Sequence, residues 1–158
     1  MAIAQETAVT EVLDERGAPY ELLLHSHTET AKAEARALGL EPDEVAKTVI
    51  VMTPDRYVRV VVPASERIDL GKLRGLLLPR GEIRLATEAE LAAAYPGFEL
   101  GAVPPIGGPG GDDVVVDVRL TIHGRVAFEA GTHDESLRLK TDDLVRLTGA
   151  TVGDVCEA

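Results

Sequence analysis

A single lysine, Lys47, interrupts the apolar run Val45-Ala46-Lys47-Thr48-Val49-Ile50-Val51-Met52. The β-branched residues Thr48 to Val51 predict a strand. A buried ammonium is costly unless it meets a partner or faces a cavity. Two readings are open: Lys47 lies at the frayed start of its strand and snorkels to water, or it presents a positive charge inside a site. A second stretch with chemical capacity runs from Gly101 to Gly111, Gly-Ala-Val-Pro-Pro-Ile-Gly-Gly-Pro-Gly-Gly, with five glycines and three prolines. It lacks the Gly-Lys-Ser/Thr of a phosphate loop. Adjacent prolines stiffen it, and glycine lets backbone come close to a ligand. It reads as a plain connector or as a rigid wall whose N–H groups receive an anion or a carbonyl oxygen.

The other reactive side chains carry weaker signals. His25 and His27 would share a face of a strand, but two histidines without a third ligand are a poor zinc signature, and no metal site is expected. His133 falls in the turn Gly131-Thr132-His133-Asp134, where a histidine is ordinarily solvent-exposed. There is no serine-centred nucleophile elbow, and Cys156 is too near the terminus to suggest a catalytic thiol. Asp112-Asp113 and Asp142-Asp143 are read as turn and helix-cap residues rather than paired acids.

The elements that must carry these residues follow from periodicity. Ala8, Val9, Val12 and Leu13 make the apolar stripe of a helix over residues 5–16, stopped by Gly17 and Pro19. A strand is expected from Tyr20 to His25, then a helix from Thr30, as N-cap, to Leu38, with Gly39 ending it. Pro42-Asp43-Glu44 turns into the Lys47 strand, Pro54-Asp55 makes a hairpin, and Tyr57 to Val62 returns. Ile68 to Leu78 reads as a helix, Ile83 to Ala86 as a short strand, and Thr87 with Glu90 as the capping box of a helix reaching Tyr95. Val114 to Asp117, Arg125 to Ala130 and Leu137 to Leu139 are strands, and Thr141 is expected to cap a last helix, 142–147. Strands and helices mix without strict alternation. The expectation is one domain over residues 1–158, an α+β fold with a mixed, closed or strongly curled sheet.

Composition narrows the function classes. The 158 residues are 45% hydrophobic and 27% charged, a globular composition, and with only 3% aromatics the core must be aliphatic. A net charge of −11 opposes broad contact with nucleic acid. Only the middle third, residues 43–85, is net basic, with eight cations against six acids. That is either a local phosphate-facing patch or solvated surface charge. One cysteine forms no internal disulfide and agrees with a reducing cytoplasm. No signal-peptide pattern appears, and no uncharged apolar run approaches the ~20 residues of a membrane span.

Three stretches together carry a family resemblance. Val45-Ala46-Lys47-Thr48, Gly101-Ala102-Val103-Pro104-Pro105-Ile106-Gly107 and Ala130-Gly131-Thr132-His133, in this order and spacing, resemble the YbaK/ProX-type aminoacyl-tRNA deacylases, which include the editing insertion of bacterial prolyl-tRNA synthetases. The likeness covers essentially the whole chain. It implies a barrel-like mixed sheet with flanking helices and hydrolysis of the ester joining a wrong amino acid to tRNA, without a cofactor. It implies catalytic positions at Lys47, Gly101 and His133: the lysine holds the terminal adenosine, the glycine loop sets the ester and its attacking water, and the histidine marks members that select small amino acids. Substrate-lining positions carried over by the same likeness are Tyr20, Thr30 and Thr48, the loop residues Val103, Pro104, Pro105, Ile106 and Gly107, and the turn residues Gly131 and Thr132. Two departures leave the amino acid open among alanine, serine, cysteine and threonine: Thr48 stands where alanine-editing members often have Asn, and His133 is present where cysteine-editing members often lack it.

The implied partners are the aminoacylated 3′ end of a tRNA, tRNA-Pro or a related one, and a synthetase or elongation factor holding the tRNA body. Neither a membrane nor DNA is expected. With no acid–base triad in the sequence, the implied mechanism is positioning plus assistance from a ribose hydroxyl. The rival readings are a catalytically silent tRNA- or synthetase-binding module of the same fold, and a small-molecule binder using the same pocket.

Overall fold

The β-branched runs form the strands they predict. The computed structural model describes residues 8–108 and 112–158. In chain order, α1 (Ala8–Glu15), β1 (Tyr20–Leu24), α2 (Ala31–Leu38), β2 (Ala46–Met52) and β3 (Tyr57–Pro63) are followed by α3 (Leu70–Leu77), β4 (Arg84–Leu85) and α4 (Glu88–Ala94). Then come β5 (Asp113–Asp117), β6 (Arg125–Glu129), β7 (Glu135–Lys140), α5 (Thr141–Thr148) and β8 (Thr151–Gly153). The expected first helix is present from Ala8; its residues 5–7, like loop residues 109–111, lie outside the described residues.

The strands make two sheets, β1-β7-β6, all antiparallel, and β4-β2-β3-β5-β8, mixed. A parallel bridge between Val45 and Ala127 ties them together. Both sheets curl around one interior filled by Val61, Val116, Val126, Phe128, Leu137 and Leu139, with Val9 and Leu13 of α1 and Leu144 of α5 packed in. The result is the mixed α/β, curled architecture expected, with the described strands in two sheets joined at that bridge and β1, β4 and β8 at outer edges. A second cluster lies on the other face of the larger sheet, where Val58, Val60 and Val62 meet Leu73 of α3. β3 is therefore covered on both faces, which is why it reads as a continuous apolar run and not an alternating one.

Local signals set the helix ends. Thr30 accepts from the Ala33 N–H, and Gly39 closes α2 in the left-handed conformation. The capping box of Thr87 and Glu90 is formed on both sides. α5 differs from expectation. Its N-cap is Lys140, without a side-chain bond, and Thr141 is the first helical residue, its hydroxyl donating to the His123 carbonyl. The 3-10 turn over Val118–Ile122 and the strand β8 carry no periodic signal, because they are too short to show one.

One topological feature positions the site. The edge of β2 that faces away from β3 is covered by β4 at Val51 and Met52 and by β6 at Val45. No described strand pairs with that edge between them. The sheet has a gap at residues 46–49, a place where backbone polar groups and the Lys47 side chain face open space.

Candidate active site

A cavity of about 400 Å³ occupies that gap. One wall is the β2 edge from Ala46 to Val49, and the opposite wall is the start of α2, with Thr30, Ala31 and Lys32. Phe128 and Glu129 at the end of β6, and Glu34 of α2, close another side. Gly101, Ala102 and Val103 form the last. Lys47 is half-buried here, and its ammonium makes no hydrogen bond or ion pair with a described residue. Burial, then the charge of neighbouring Lys32, pulls its pKa below the ordinary lysine value. Of the two readings of Lys47, the cavity-facing one describes its position. The Thr48 hydroxyl oxygen, on the same wall, is buried without a hydrogen-bond partner.

The glycine- and proline-rich loop is held from behind by one buried arginine. Arg59 of β3, 2% exposed, donates from Nε to Asp112 Oδ2 at 2.6 Å, from Nη1 to the Pro104 carbonyl at 2.8 Å and from Nη2 to the Gly107 carbonyl at 2.8 Å. Its guanidinium lies 5.1 Å from the centre of the Tyr95 ring, and the Tyr95 hydroxyl donates to the same Asp112 oxygen at 2.6 Å. The fork geometry of Arg is what lets one side chain bind a carboxylate and two carbonyls at once. Asp112 is thus half of a buried ion pair, a role beyond the turn chemistry expected of it. At the near end of the loop Gly101 adopts φ +82°, a conformation that favours glycine, and its N–H makes no hydrogen bond with a described residue.

His133 sits behind Gly101 and does not line the cavity. It is 5% exposed, with Nδ1 2.9 Å from Glu129 Oε2 and Nε2 2.6 Å from the Leu100 carbonyl. A carboxylate and a carbonyl are both acceptors, so the ring satisfies both as an imidazolium. Burial works against that cation, but the Leu100 carbonyl and the Glu129 carboxylate outweigh it and the histidine pKa is raised. The turn before it is shaped by Gly131, at φ +102°, where a Cβ would come within 2.7 Å of the Phe98 ring. Thr132 donates to Asp134 within the turn.

The sequence-derived site residues therefore divide. Lys47, Thr48, Thr30, Gly101 and Val103 meet at the cavity. Pro104 and Gly107 offer their carbonyls to Arg59, and Ile106 is in the core beside Val9. Pro105 belongs to the same buried loop segment. Gly131 and His133 back the loop. Tyr20 is elsewhere, its hydroxyl donating to Asp14 at 3.0 Å. His25 and His27 lie past the end of β1 and bond separately, to Ser136 and Glu29. Among the described residues no group of three His, Cys, Asp or Glu side chains is gathered to hold a metal ion. Cys156 is buried, and burial followed by the Asp117 carboxylate pushes its thiol up to about 12.

Two acids in the cavity wall were not singled out from the sequence. Glu34, 1% exposed, accepts from the Ser136 hydroxyl at 2.5 Å, and that hydroxyl is 2.8 Å from His25 Nε2. Burial raises the Glu34 pKa to about 8. Glu129, 7% exposed, is raised by burial and pulled back by His133. A signal for Glu34 existed: with Ala31, Ala35 and Leu38 it completes an i, i+3, i+4, i+7 face, so an acid stands where the helix turns inward. A charge inside the β-branched run Tyr57 to Val62 was likewise visible at Arg59.

Residues 25–147 match the family model described as an aminoacyl-tRNA editing domain. The crystal structure of a hypothetical protein, 31% identical, superposes with a TM-score of 0.86 over 93% of this chain and 97% of that one. A "putative trans-editing enzyme for prolyl tRNA synthetase" is 30% identical with a TM-score of 0.84, covering 94% of each chain. A scaffold protein used for epitope backbone grafting is 28% identical with a TM-score of 0.85, covering 96% of each. No curated protein matches.

Proposed function

This chain belongs to the aminoacyl-tRNA editing domain family, and from that premise we propose that it is a trans-acting deacylase that hydrolyses the ester of a mischarged tRNA carrying a small amino acid. The observation that carries the proposal is the gap in the sheet. A half-buried Lys47 and a Gly101 N–H, neither with a hydrogen-bond partner among the described residues, border one cavity. Lys47 supplies positive charge for the ribose-phosphate of the terminal nucleotide. The Gly101 N–H is a fixed donor for the carbonyl oxygen, on which negative charge builds as water attacks. The bond from the acyl carbon to the ribose oxygen then breaks, that oxygen takes a proton, and the amino acid leaves with the added oxygen. No side chain acts as general base in this scheme; the neighbouring ribose hydroxyl orients the water, so positioning supplies the acceleration.

His133 acts as a positioning residue, since its contacts run to the Leu100 carbonyl and Glu129. A cavity of about 400 Å³, shared between a nucleoside and an aminoacyl group, leaves space for a small side chain and turns away a larger one as a sieve does. The tRNA body meets an acidic surface, which favours a second protein holding it, a prolyl-tRNA synthetase being the candidate that the trans-editing relative suggests.

The test is a panel of mischarged tRNAs: alanine, serine, cysteine and threonine on tRNA-Pro, and serine on tRNA-Ala and tRNA-Thr, each with wild type and Lys47→Ala. Loss of at least one ester, slowed 100-fold or more in the variant while its unfolding transition is unchanged, is the expected result. A variant with near-normal turnover refutes the role of Lys47. Shifts in the spectrum of the protein on adding acceptor-stem RNA, with every ester left intact, would identify a silent binding module instead.

A further inference from the structure

The charges around the cavity differ in depth. Glu34 and Glu129 are buried in its wall, whereas Lys47 is half-buried and Lys32 and Glu29 are exposed at its rim. Each acid has one oxygen engaged, Glu34 with Ser136 and Glu129 with His133. The second oxygen of each makes no hydrogen bond with a described residue. The Thr48 hydroxyl is buried and unpartnered in the same cavity. A buried polar group without a partner is costly, so the Thr48 hydroxyl, beside two acids that each keep one oxygen unengaged, points to a ligand that completes them. Two buried acids, with Lys47 and Lys32 nearer the mouth, fit a molecule with a positive end that enters and a negative end that stays near water.

We infer that Glu34 and Glu129 bind the α-ammonium group of the aminoacyl ester, making that group, and not the amino-acid side chain alone, a recognised part of the substrate. This deepens the deacylase reading and rests on it. An α-ammonium has three N–H donors. Two free carboxyl oxygens and the Thr48 hydroxyl are acceptors that match them. Burial, with the Glu129 carboxylate as a lesser cause, keeps Glu34 protonated at neutral pH before a ligand arrives. An arriving cation displaces that proton to solvent and creates the ion pair. The ester carbonyl, one bond from the α-carbon, is then held toward the Gly101 loop.

The experiment uses the tRNA ester that wild type hydrolyses best and the same tRNA after nitrous-acid deamination, which replaces the α-ammonium with a hydroxyl. Each enzymatic kcat/KM is divided by the uncatalysed hydrolysis rate of the same ester. Wild type is expected to prefer the ammonium ester by roughly 10- to 100-fold, the range for a charged hydrogen-bonded contact. In Glu34→Gln and Glu129→Gln that ratio falls toward one, whereas a merely structural defect would slow both esters alike. Equal corrected rates for the two esters in wild type overturn the inference with no variant needed and leave the deacylase reading intact. Retention of the full preference in both variants also overturns it. Inertness of wild type toward every ester overturns the deacylase reading, and the inference with it.

Discussion

Replacing Arg59 by lysine tests whether the glycine loop is held by one side chain. Lysine keeps a positive charge for Asp112 but lacks the planar fork that also reaches the carbonyls of Pro104 and Gly107. Two buried carbonyls then lose a charged donor, each such bond contributing about 1.5–3 kcal/mol. Partial rescue by the ammonium and by relaxation reduces the sum, so we expect a loss of about 3 kcal/mol. In a chain of this size that lowers Tm by roughly 6–12 °C. The internal control is Arg56, whose Nε lies the same 2.6 Å from Asp113 but whose side chain is 39% exposed. Arg56→Lys should cost under about 1 kcal/mol, because solvent screens the pair. Thermal unfolding measures both, and deacylation of the preferred ester reports the loop: Arg59→Lys should lower kcat at least tenfold by freeing Gly101 from its register. Equal Tm changes in the two variants, or an Arg59→Lys protein with wild-type kcat, would refute the account of how the loop is held.

The remaining expectations concern the buried acid and one glycine. Glu34 has a folded-state pKa of about 8, above its unfolded value, so the folded state binds the proton more tightly. It is largely neutral in both states at pH 4, and from about pH 4.5 to 8 the unfolded chain ionises first, which takes stability from the wild type as pH rises. Glu34→Gln should match wild type near pH 4 and exceed it near pH 8 by on the order of 3 kcal/mol, with Glu129 and His133 common to both proteins; a pH-independent difference in Tm would contradict the assignment. Gly131→Ala places a methyl group 2.7 Å from Phe98 at φ +102°, and should cost about 1–3 kcal/mol by urea unfolding. An unchanged urea midpoint would mean that Phe98 and the turn relax freely.

Local chemistry was legible wherever a residue acts through its immediate neighbours. Thr30 and Gly39 bracket α2, and Thr87 with Glu90 opens α4, because a cap is a contact within a single turn of helix. The strands β2 and β3 and the hairpin between them follow from β-branched runs broken by Pro54-Asp55. The three motifs were enough to identify the family. Thr141 shows the limit even at short range: its hydroxyl finds a carbonyl 18 residues away, at His123, and leaves the cap position to Lys140.

What the sequence by itself determined, then, is most of the elements, β8 and the 3-10 turn over Val118–Ile122 excepted, and the presence of Lys47 in a strand. Whether that lysine lies at a frayed end or borders a cavity was decided by pairing. β4 covers one end of the β2 edge and β6 the other, and the gap between them is the cavity. Neither pairing has a signal in the residues of β2, since the partners lie more than 30 and 70 positions downstream. The same reason separates Tyr20 from the site and brings Glu34, Ser136 and His25 together. Arg59 and Asp112, 53 residues apart, meet behind the loop only once β3 and β5 lie parallel. Hydrophobic periodicity records which face of an element turns inward, whereas the charges that converge inside are placed by the order in which strands pair.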